Sequence, residues 1–399
     1  MNGRNVKKII LYIIGLIVMA GLFVFILRGV REMLTDPLAE RKAEKRSTDV
    51  VSTIEDTTEK PTTEATTEIT TEEITTEATT ELTTEEVELE PKKELTIEDD
   101  VKNPIFLTLP QSVEIKQGSP FYILDYVGYA DDVDRSPELE TEGNVDTSTV
   151  GSYPVTLTLT DDAGHTTNGK MTVNVVTEYT KSPEKEKEDF ETFQSIYKND
   201  STSLGIDVSR WQENVDFNAV KNAGCDFVII RIGGYDDGSQ YTDKYFKTNI
   251  ENAKAAGLKV GIYWHAEEND PEQVKSNVEY LMSVLAGETL DYPIAYDWED
   301  FSHFPKYAMN LYDINYCFET FYNTVRSYGY DACLYSSKNF LENVWTNEKN
   351  HPVWLANYTS STSYGGSYYM WQQANTGRIP GINGDVDFNI LYTDRYNAE

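Results

Sequence analysis

The sequence predicts an α/β domain over residues 204–399, carried behind a small all-β module, a disordered linker and one transmembrane helix. Three observations predict it. Strand-like apolar runs alternate with helical patterns from Leu204 onward, short alternating runs with turn signals fill residues 104–177, and a charge-free apolar stretch runs from Ile9 to Leu27. Strands alternating with helices over such a length indicate a parallel sheet, open or closed into a barrel.

In chain order, residues 1–8 form a short tail bearing Arg4, Lys7 and Lys8. The stretch from Ile9 to Leu27 is long enough to cross the hydrocarbon core, which needs ~20 apolar residues. It exceeds the apolar region of a typical cleaved signal and no convincing A-x-A site follows, so it reads as a signal anchor with tail inside and body outside. Residues 28–103 are a juxtamembrane segment and a linker of ragged Thr-Thr-Glu repeats. That composition lacks the apolar surface to offset ordering entropy, and its like charges extend it.

Over residues 104–177 the pattern becomes that of antiparallel strands. Val155, Leu157 and Leu159 alternate with threonines, and Met171, Val173 and Val175 repeat the period after the turn Asp161-Asp162-Ala163-Gly164. The run VDTSTVGSYPVTLTLTDDAGH resembles the bacterial immunoglobulin-like modules of surface proteins. The resemblance implies a β-sandwich, serving as a rigid spacer or binding wall carbohydrate or envelope proteins. Residues 178–203 read as a charged linker.

From Leu204 the expected strands are Leu204–Val208, Phe227–Ile232, Lys259–Tyr263, Pro293–Tyr296, Cys333–Tyr335, Val353–Ala356 and Tyr369–Gln372. Helices are expected at Asp243–Ala256, Pro271–Ala286 and Asn310–Tyr328, the first two ending near Gly257 and Gly287. The three cysteines, Cys225, Cys317 and Cys333, are too few for a disulfide scaffold and read best as small buried hydrophobes, although a Cys317–Cys333 pair is open. The formal net charge of -33 argues against a nucleic-acid partner. No Cys/His spacing resembles a zinc site, there is no Gly-rich phosphate loop, and no cofactor or metal is called for.

The chemistry is expected where strands end. Asp297 and Glu299, at i and i+2 on one strand, share a face, so mutual repulsion should raise one pKa and keep that group protonated near neutrality. Such a pair alone also suits a solvated surface or a bound cation. Asp207 follows the first strand and Asp387 lies near the end of the chain. Tyr263, Trp264, Tyr296, Trp298, Trp354, Tyr358 and Trp371 fall at or near strand ends, where aromatic faces could stack on sugar rings or serve as core. Arg231 could meet a substrate carboxylate or form a structural ion pair.

These residues lie in ordered blocks: GIDVSRWQENVDFNAVKNAGCDFVIIRIGGY, DKYFKTNIENAKAAGLKVGIYWHA, YPIAYDWED, VWLANY and MWQQANTGRIPGINGDVDFN. Together they resemble the glycoside hydrolase family 25 lysozymes of the Chalaropsis type. The resemblance implies an irregular (β/α) barrel and a muramidase cutting the β-1,4 bond between N-acetylmuramic acid and N-acetylglucosamine of peptidoglycan. By position it implies Glu299 as general acid/base, and Asp297 as nucleophile or as support for the substrate's acetamido group. It implies Asp207 and Asp387 as tuning and binding carboxylates, with Tyr263, Trp264, Tyr296, Trp298 and Trp371 expected as the binding aromatics. His265 departs from the family's commoner residue, which would alter a subsite. The expected whole is an anchored, outward-facing wall hydrolase of a Gram-positive type bacterium, acting in local wall remodelling. The competing reading is a non-catalytic wall-binding surface protein.

Overall fold

The computed structural model describes residues 91–181 and 186–395. The apolar Ile9–Leu27 stretch and the Thr/Glu repeats lie outside the described residues. Among the described residues no helix is long and apolar enough to cross a membrane.

The first module holds six strands: β1 (Ile105–Thr108), β2 (Ser112–Lys116), β3 (Gly128–Ala130), β4 (Glu138–Glu142), β5 (Gly151–Thr160) and β6 (Thr166–Val176). β1 pairs antiparallel with β3, and the second sheet runs β2-β6-β5-β4. The alternation in the sequence is the alternation of burial. Val155, Leu157, Leu159, Met171, Val173 and Val175 are all buried in one cluster with Ile115 and Val127. Each such side chain contributes ~1.5–3 kcal/mol by leaving water. The threonines between them face outward.

The second module begins earlier than the sequence suggested. Residues 178–203, expected as a linker, contain a short strand β7 (Glu188–Asp189) and helix α1 (Phe190–Tyr197). Phe190 and Phe193 of α1 are buried against Phe388, with ring centroids 5.2 and 4.9 Å away. These two aromatics, together with β7 pairing along β15, hold the segment on the barrel despite its charged flank.

Eight strands close the barrel: β8 (Thr202–Val208), β9 (Phe227–Asp236), β11 (Lys259–Ala266), β12 (Ile294–Trp298), β13 (Ala332–Ser337), β14 (Val353–Ala356), β15 (Met370–Arg378) and β16 (Val386–Tyr392). Pairing is parallel from β8 through β15, while β16 runs antiparallel to both β15 and β8. That inverted strand makes the barrel irregular. β10 (Ser239–Thr242) only extends β9 as a hairpin. Helices α2 (Phe217–Asn222), α3 (Phe246–Ala255), α4 (Pro271–Leu285), α5 (Leu311–Ser327) and α6 (Lys338–Asn343) cover the outside. Asp270 caps α4 through the amides of Glu272 and Gln273, with Pro271 in the first turn where its missing N–H costs nothing. Gly257 and Gly287, past α3 and α4, sit at φ of 75° and 79°, a region that favours glycine.

The barrel has two buried layers. Phe227, Ile229, Ala295, Cys333, Trp354, Met370 and Leu391 fill its interior. Val228, Ile230, Trp264, Tyr296, Trp298 and Trp371 belong to the larger cluster between sheet and helices. The three cysteines are free thiols, all buried.

Sandwich and barrel share a tight seam. The 91–103 segment, expected to belong to the linker, is part of it: Lys92 Nζ lies 2.8 Å from Asp313 Oδ1 and the Lys93 amide donates to the Tyr312 hydroxyl. Arg135 grips the same carboxylate with both arms, Nε to Oδ2 at 2.7 Å and Nη2 to Oδ1 at 2.9 Å. The Leu311 amide donates to the Asp131 carbonyl and Asn310 Nδ2 to that of Val133. Gly128 meets the backbone of Phe301, so closely that a Cβ there would lie 2.1 Å from its carbonyl oxygen.

Candidate active site

At the C-terminal end of the barrel strands, four carboxylates converge. Asp207 lies near the end of β8, Asp297 near the end of β12 with Glu299 just past it, and Asp387 on β16, directly opposite Asp207 in register. With Tyr263, Tyr335, Trp354, Tyr358, Gln372 and Asn375 they line a cleft of about 330 Å³. A contiguous recess adds Trp211, Arg231, Tyr241 and His265.

Asp207 is the most heavily hydrogen-bonded of the four. Its Oδ2 accepts from Gln372 Nε2 at 2.9 Å and from Asn389 Nδ2 at 2.8 Å. Those amides are held in turn. Gln372 Oε1 accepts from the hydroxyls of Tyr335 and Tyr358, and Asn389 Oδ1 accepts from Trp354 Nε1. Burial raises the Asp207 pKa, while Asn389, Gln372 and Asp387 pull it down by hydrogen bonding. Asp387 is raised by burial and by the charge of Asp207, and so holds a proton against its neighbour.

Asp297 is 5% exposed, and its Oδ1 has no hydrogen-bond partner among the described residues. Burial raises its pKa first, the charge of Glu299 adds to this, and Arg231 opposes both. Glu299 opens to solvent through the cleft mouth yet is flanked by protein; burial, then the charge of Asp207, pushes it up to about 6. Asp300, next in sequence, has another task. It accepts from His303 Nδ1 at 2.9 Å and the Tyr307 hydroxyl at 2.7 Å, pinning the helical turn Phe301–Tyr307.

Arg231 takes the structural role. Its Nε donates to Asp243 Oδ2 at 2.9 Å, with Nη2 2.8 Å from the same oxygen. His265 faces the recess with Nδ1 4.0 Å from Asp297 Oδ2. Burial, then Arg231, depresses its pKa to about 4, so its imidazole is neutral.

Of the aromatics expected to bind substrate, Tyr263 lines the cleft and four do not. Trp264 is 1% exposed and packs edge-on against Tyr280 of α4. Tyr296 lies against Phe318 and Phe321 of α5. Trp298 packs on Phe301, Phe304 and Tyr307, its Nε1 donating to the Glu268 carbonyl. Trp371 faces Tyr197 of α1 and donates to the Asn357 carbonyl. The reason is strand parity: neighbours of inward residues point outward. Asp297 faces in, so Tyr296 and Trp298 face out; Tyr263 faces in, so Trp264 faces out. The sequence reading missed Tyr335, Gln372 and Asn389, each two residues past another inward side chain of its own strand, Cys333, Met370 and Asp387, and that parity was the available signal. It also missed Trp211, which is 63% exposed at the recess beside Arg210.

Four carboxylates gathered at the strand ends of a barrel supply the residue types that glycoside cleavage calls for. Residues 206–382 match glycosyl hydrolases family 25, and residues 105–175 match the Ig-like domain of bacterial surface proteins. The chain therefore carries a family 25 glycosyl hydrolase domain behind a bacterial surface Ig-like domain. It is similar to the autolytic lysozyme of Clostridium acetobutylicum, 33% identical over 187 residues, covering 46% of this chain and 54% of that protein. Lysozyme M1 of Streptomyces globisporus is 29% identical over 203 residues, 46% of this chain and 66% of that one. The crystal structure of the bacterial lysozyme from Streptomyces coelicolor aligns at 23% identity and a TM-score of 0.42, covering 50% of this chain and 100% of that one. The chain thus spans about half the length of the Clostridium relative.

Proposed function

We propose that this protein is a membrane-anchored muramidase, cleaving the β-1,4 bond between N-acetylmuramic acid and N-acetylglucosamine in peptidoglycan close to the cell that makes it. The observation that carries the reading is the cleft in which Asp207, Asp297, Glu299 and Asp387 converge beneath Tyr263, Tyr335 and Tyr358. Glycoside cleavage needs a proton for the leaving oxygen and a negative charge against the oxocarbenium-like centre. Glu299, raised to about 6 and open to the cleft, suits the acid. Asp297, on which the Arg231 charge acts to favour ionisation, suits the anion, acting as nucleophile or steadying the acetamido group. Asp207, fixed by two amides, keeps negative charge beside the acid and thereby helps keep it protonated.

The similarity to two lysozymes supports peptidoglycan as substrate. The anchor rests on the uncharged Ile9–Leu27 stretch of the sequence, and with it the location outside the membrane, the confinement to nearby wall and the role in local remodelling. The test is the purified chain beside Glu299→Gln on isolated peptidoglycan, with new reducing ends reduced by borohydride and identified. Muramitol from the wild type alone is the expected result. Glucosaminitol would make it a glucosaminidase. No new ends from either protein, with wall binding intact, would leave a binding module.

A further inference from the structure

A second group of acidic side chains lies in the sandwich, at the seam with the barrel, and the glycosidase reading makes no use of it. We propose that Asp100, Asp131 and Asp132 hold a Ca²⁺ ion there, with Asp161 beside it. One carboxylate oxygen from each of the first three lies within 4.8 Å of the other two, and the same holds for the ligand atoms of Asp100, Asp161 and His165. Oxygens on opposite sides of a Ca²⁺ held at ~2.3–2.6 Å are ~4.6–5.2 Å apart. The cluster is compact enough for all three carboxylates to reach one such ion.

The second observation is that each of the three carboxylates has a buried oxygen with no partner among the described residues. Asp131 is 1% exposed and Asp100 6%. Asp131 Oδ2, Asp100 Oδ1 and Asp132 Oδ1 are all buried and make no hydrogen bond among the described residues. The sister atoms of Asp131 and Asp132 are occupied elsewhere. Asp131 Oδ1 accepts from the amides of Val133 and Asp134, and Asp132 Oδ2 faces Lys102 Nζ at 3.0 Å. Asp161 accepts from the amide of His165 and, through Oδ2, meets His165 Nδ1 at 2.9 Å; that nitrogen is 3.6 Å from Asp100 Oδ1. Thus four carboxylates share one lysine and one imidazole. A buried carboxylate oxygen without a partner costs several kcal/mol of desolvation, and a bound cation removes that cost for three at once.

The donor set selects the ion. Hard carboxylate oxygens suit Ca²⁺ or Mg²⁺ over zinc or copper. Mg²⁺ tolerates little departure from an octahedron and gives up its waters reluctantly, whereas Ca²⁺ accepts irregular sets of carboxylate oxygens. The ligands come from three separate segments, before β1, after β3 and between β5 and β6. One of them, Asp131, also accepts the Leu311 amide of α5 on its carbonyl. Filling the site therefore cross-links the sandwich and stiffens the backbone on which the barrel docks.

The test uses the full chain in detergent, stripped with EGTA and titrated with CaCl₂ by calorimetry, with melting curves taken with and without about 10 mM CaCl₂. Asp131→Asn, Asp100→Asn and Glu299→Gln are treated alike; Asp131→Asn can keep its amide bonds through the remaining oxygen. The expected result is one Ca²⁺ per chain and a melting rise of about 5 °C for a ~0.1 mM site. Affinity should fall at least ~10-fold in both aspartate variants and be unchanged in Glu299→Gln. No heat and no melting shift in the wild type would overturn the proposal. So would binding that survives both aspartate changes but vanishes in Glu299→Gln, since the cation would then sit in the barrel cleft. If Asp131→Asn does not fold, the wild-type titration with Asp100→Asn and Glu299→Gln gives the same decision.

Discussion

Replacing Gly128 by alanine tests whether the Ig-like sandwich is a passive spacer or a support for the cleft. Gly128 has no positive φ, so alanine brings no backbone strain of its own. The cost is steric. The new Cβ would lie 2.1 Å from the Phe301 carbonyl oxygen and 3.1 Å from Ser302 Cα. Both neighbours are backbone, so one side of the seam has to move by roughly 1 Å to restore ordinary contact; overpacking of this kind costs ~1–3 kcal/mol. Phe301 is two residues past Glu299, and its amide donates to the Glu299 carbonyl at 2.8 Å. A shift of the Phe301 turn therefore displaces the backbone that aims the proposed acid. Misplacing a catalytic group by ~1 Å can cost ~10²-fold in rate. The expected outcome is a melting temperature lower by several degrees and a kcat lower by ~10–100-fold, with wall binding retained. Initial rates of reducing-end release and thermal melts of both proteins measure this. Wild-type rates alongside a lowered melting temperature would refute the coupling of seam to cleft, because the sandwich alone would have moved. Wild-type values in both would refute the tight seam itself.

Two further outcomes follow from the electrostatics. If Glu299 delivers the proton with a pKa of about 6, kcat/KM falls as pH rises through that value, to roughly a tenth of its plateau at pH 7, and a profile flat to pH 8 would remove Glu299 from that role. Asp297 is raised by burial and by Glu299, so its folded pKa lies above its unfolded one. Its contribution to stability is then fully present below the unfolded value near 3.9 and is lost as pH rises through the folded one. Asp297→Asn should accordingly raise the melting temperature at pH 7 and leave it little changed near pH 4; an equal change at both would mean the effect is not ionisation.

How far the sequence could be read depended on how many faces of each strand are buried. In the sandwich one face is wet, so the alternation of Val155, Leu157 and Leu159 with threonine shows directly which side is core. In the barrel both faces are buried, and apolar character no longer distinguishes inside from outside. Trp264, Tyr296, Trp298 and Trp371 are therefore indistinguishable from cleft residues by hydrophobicity and distinguishable only by parity with a polar inward neighbour. The carboxylates were legible because charge at the end of an apolar strand is costly without a purpose. The strand Val386–Tyr392 was read only as a motif, since its inverted direction leaves no mark in composition. The seam was invisible for a different reason: Arg135 and Asp313 are 178 positions apart, and neither belongs to a local pattern.

The division of labour in the cleft follows from where the donors stand. Four carboxylates in one small space cannot all ionise cheaply, and the nearest guanidinium, Arg231, is already committed to Asp243. Asp207 has the amides of Gln372 and Asn389, so it is the carboxylate that can carry charge at least cost. Asp387, across from it, is thereby pushed toward its protonated form and becomes a donor to Asp207. Between the remaining two, Arg231 acts on Asp297 and not on Glu299, whereas the charge of Asp207 bears on both. Burial is what most raises Asp297; once Glu299 holds a proton the largest charge that adds to it disappears, and Arg231 is left favouring the anion against burial and the charge of Asp207. Acid and anion are thus separated by the position of one arginine and two amides. That is the arrangement a glycosidase needs before the sugar arrives, because donors already fixed in place need no reorganisation as charge develops.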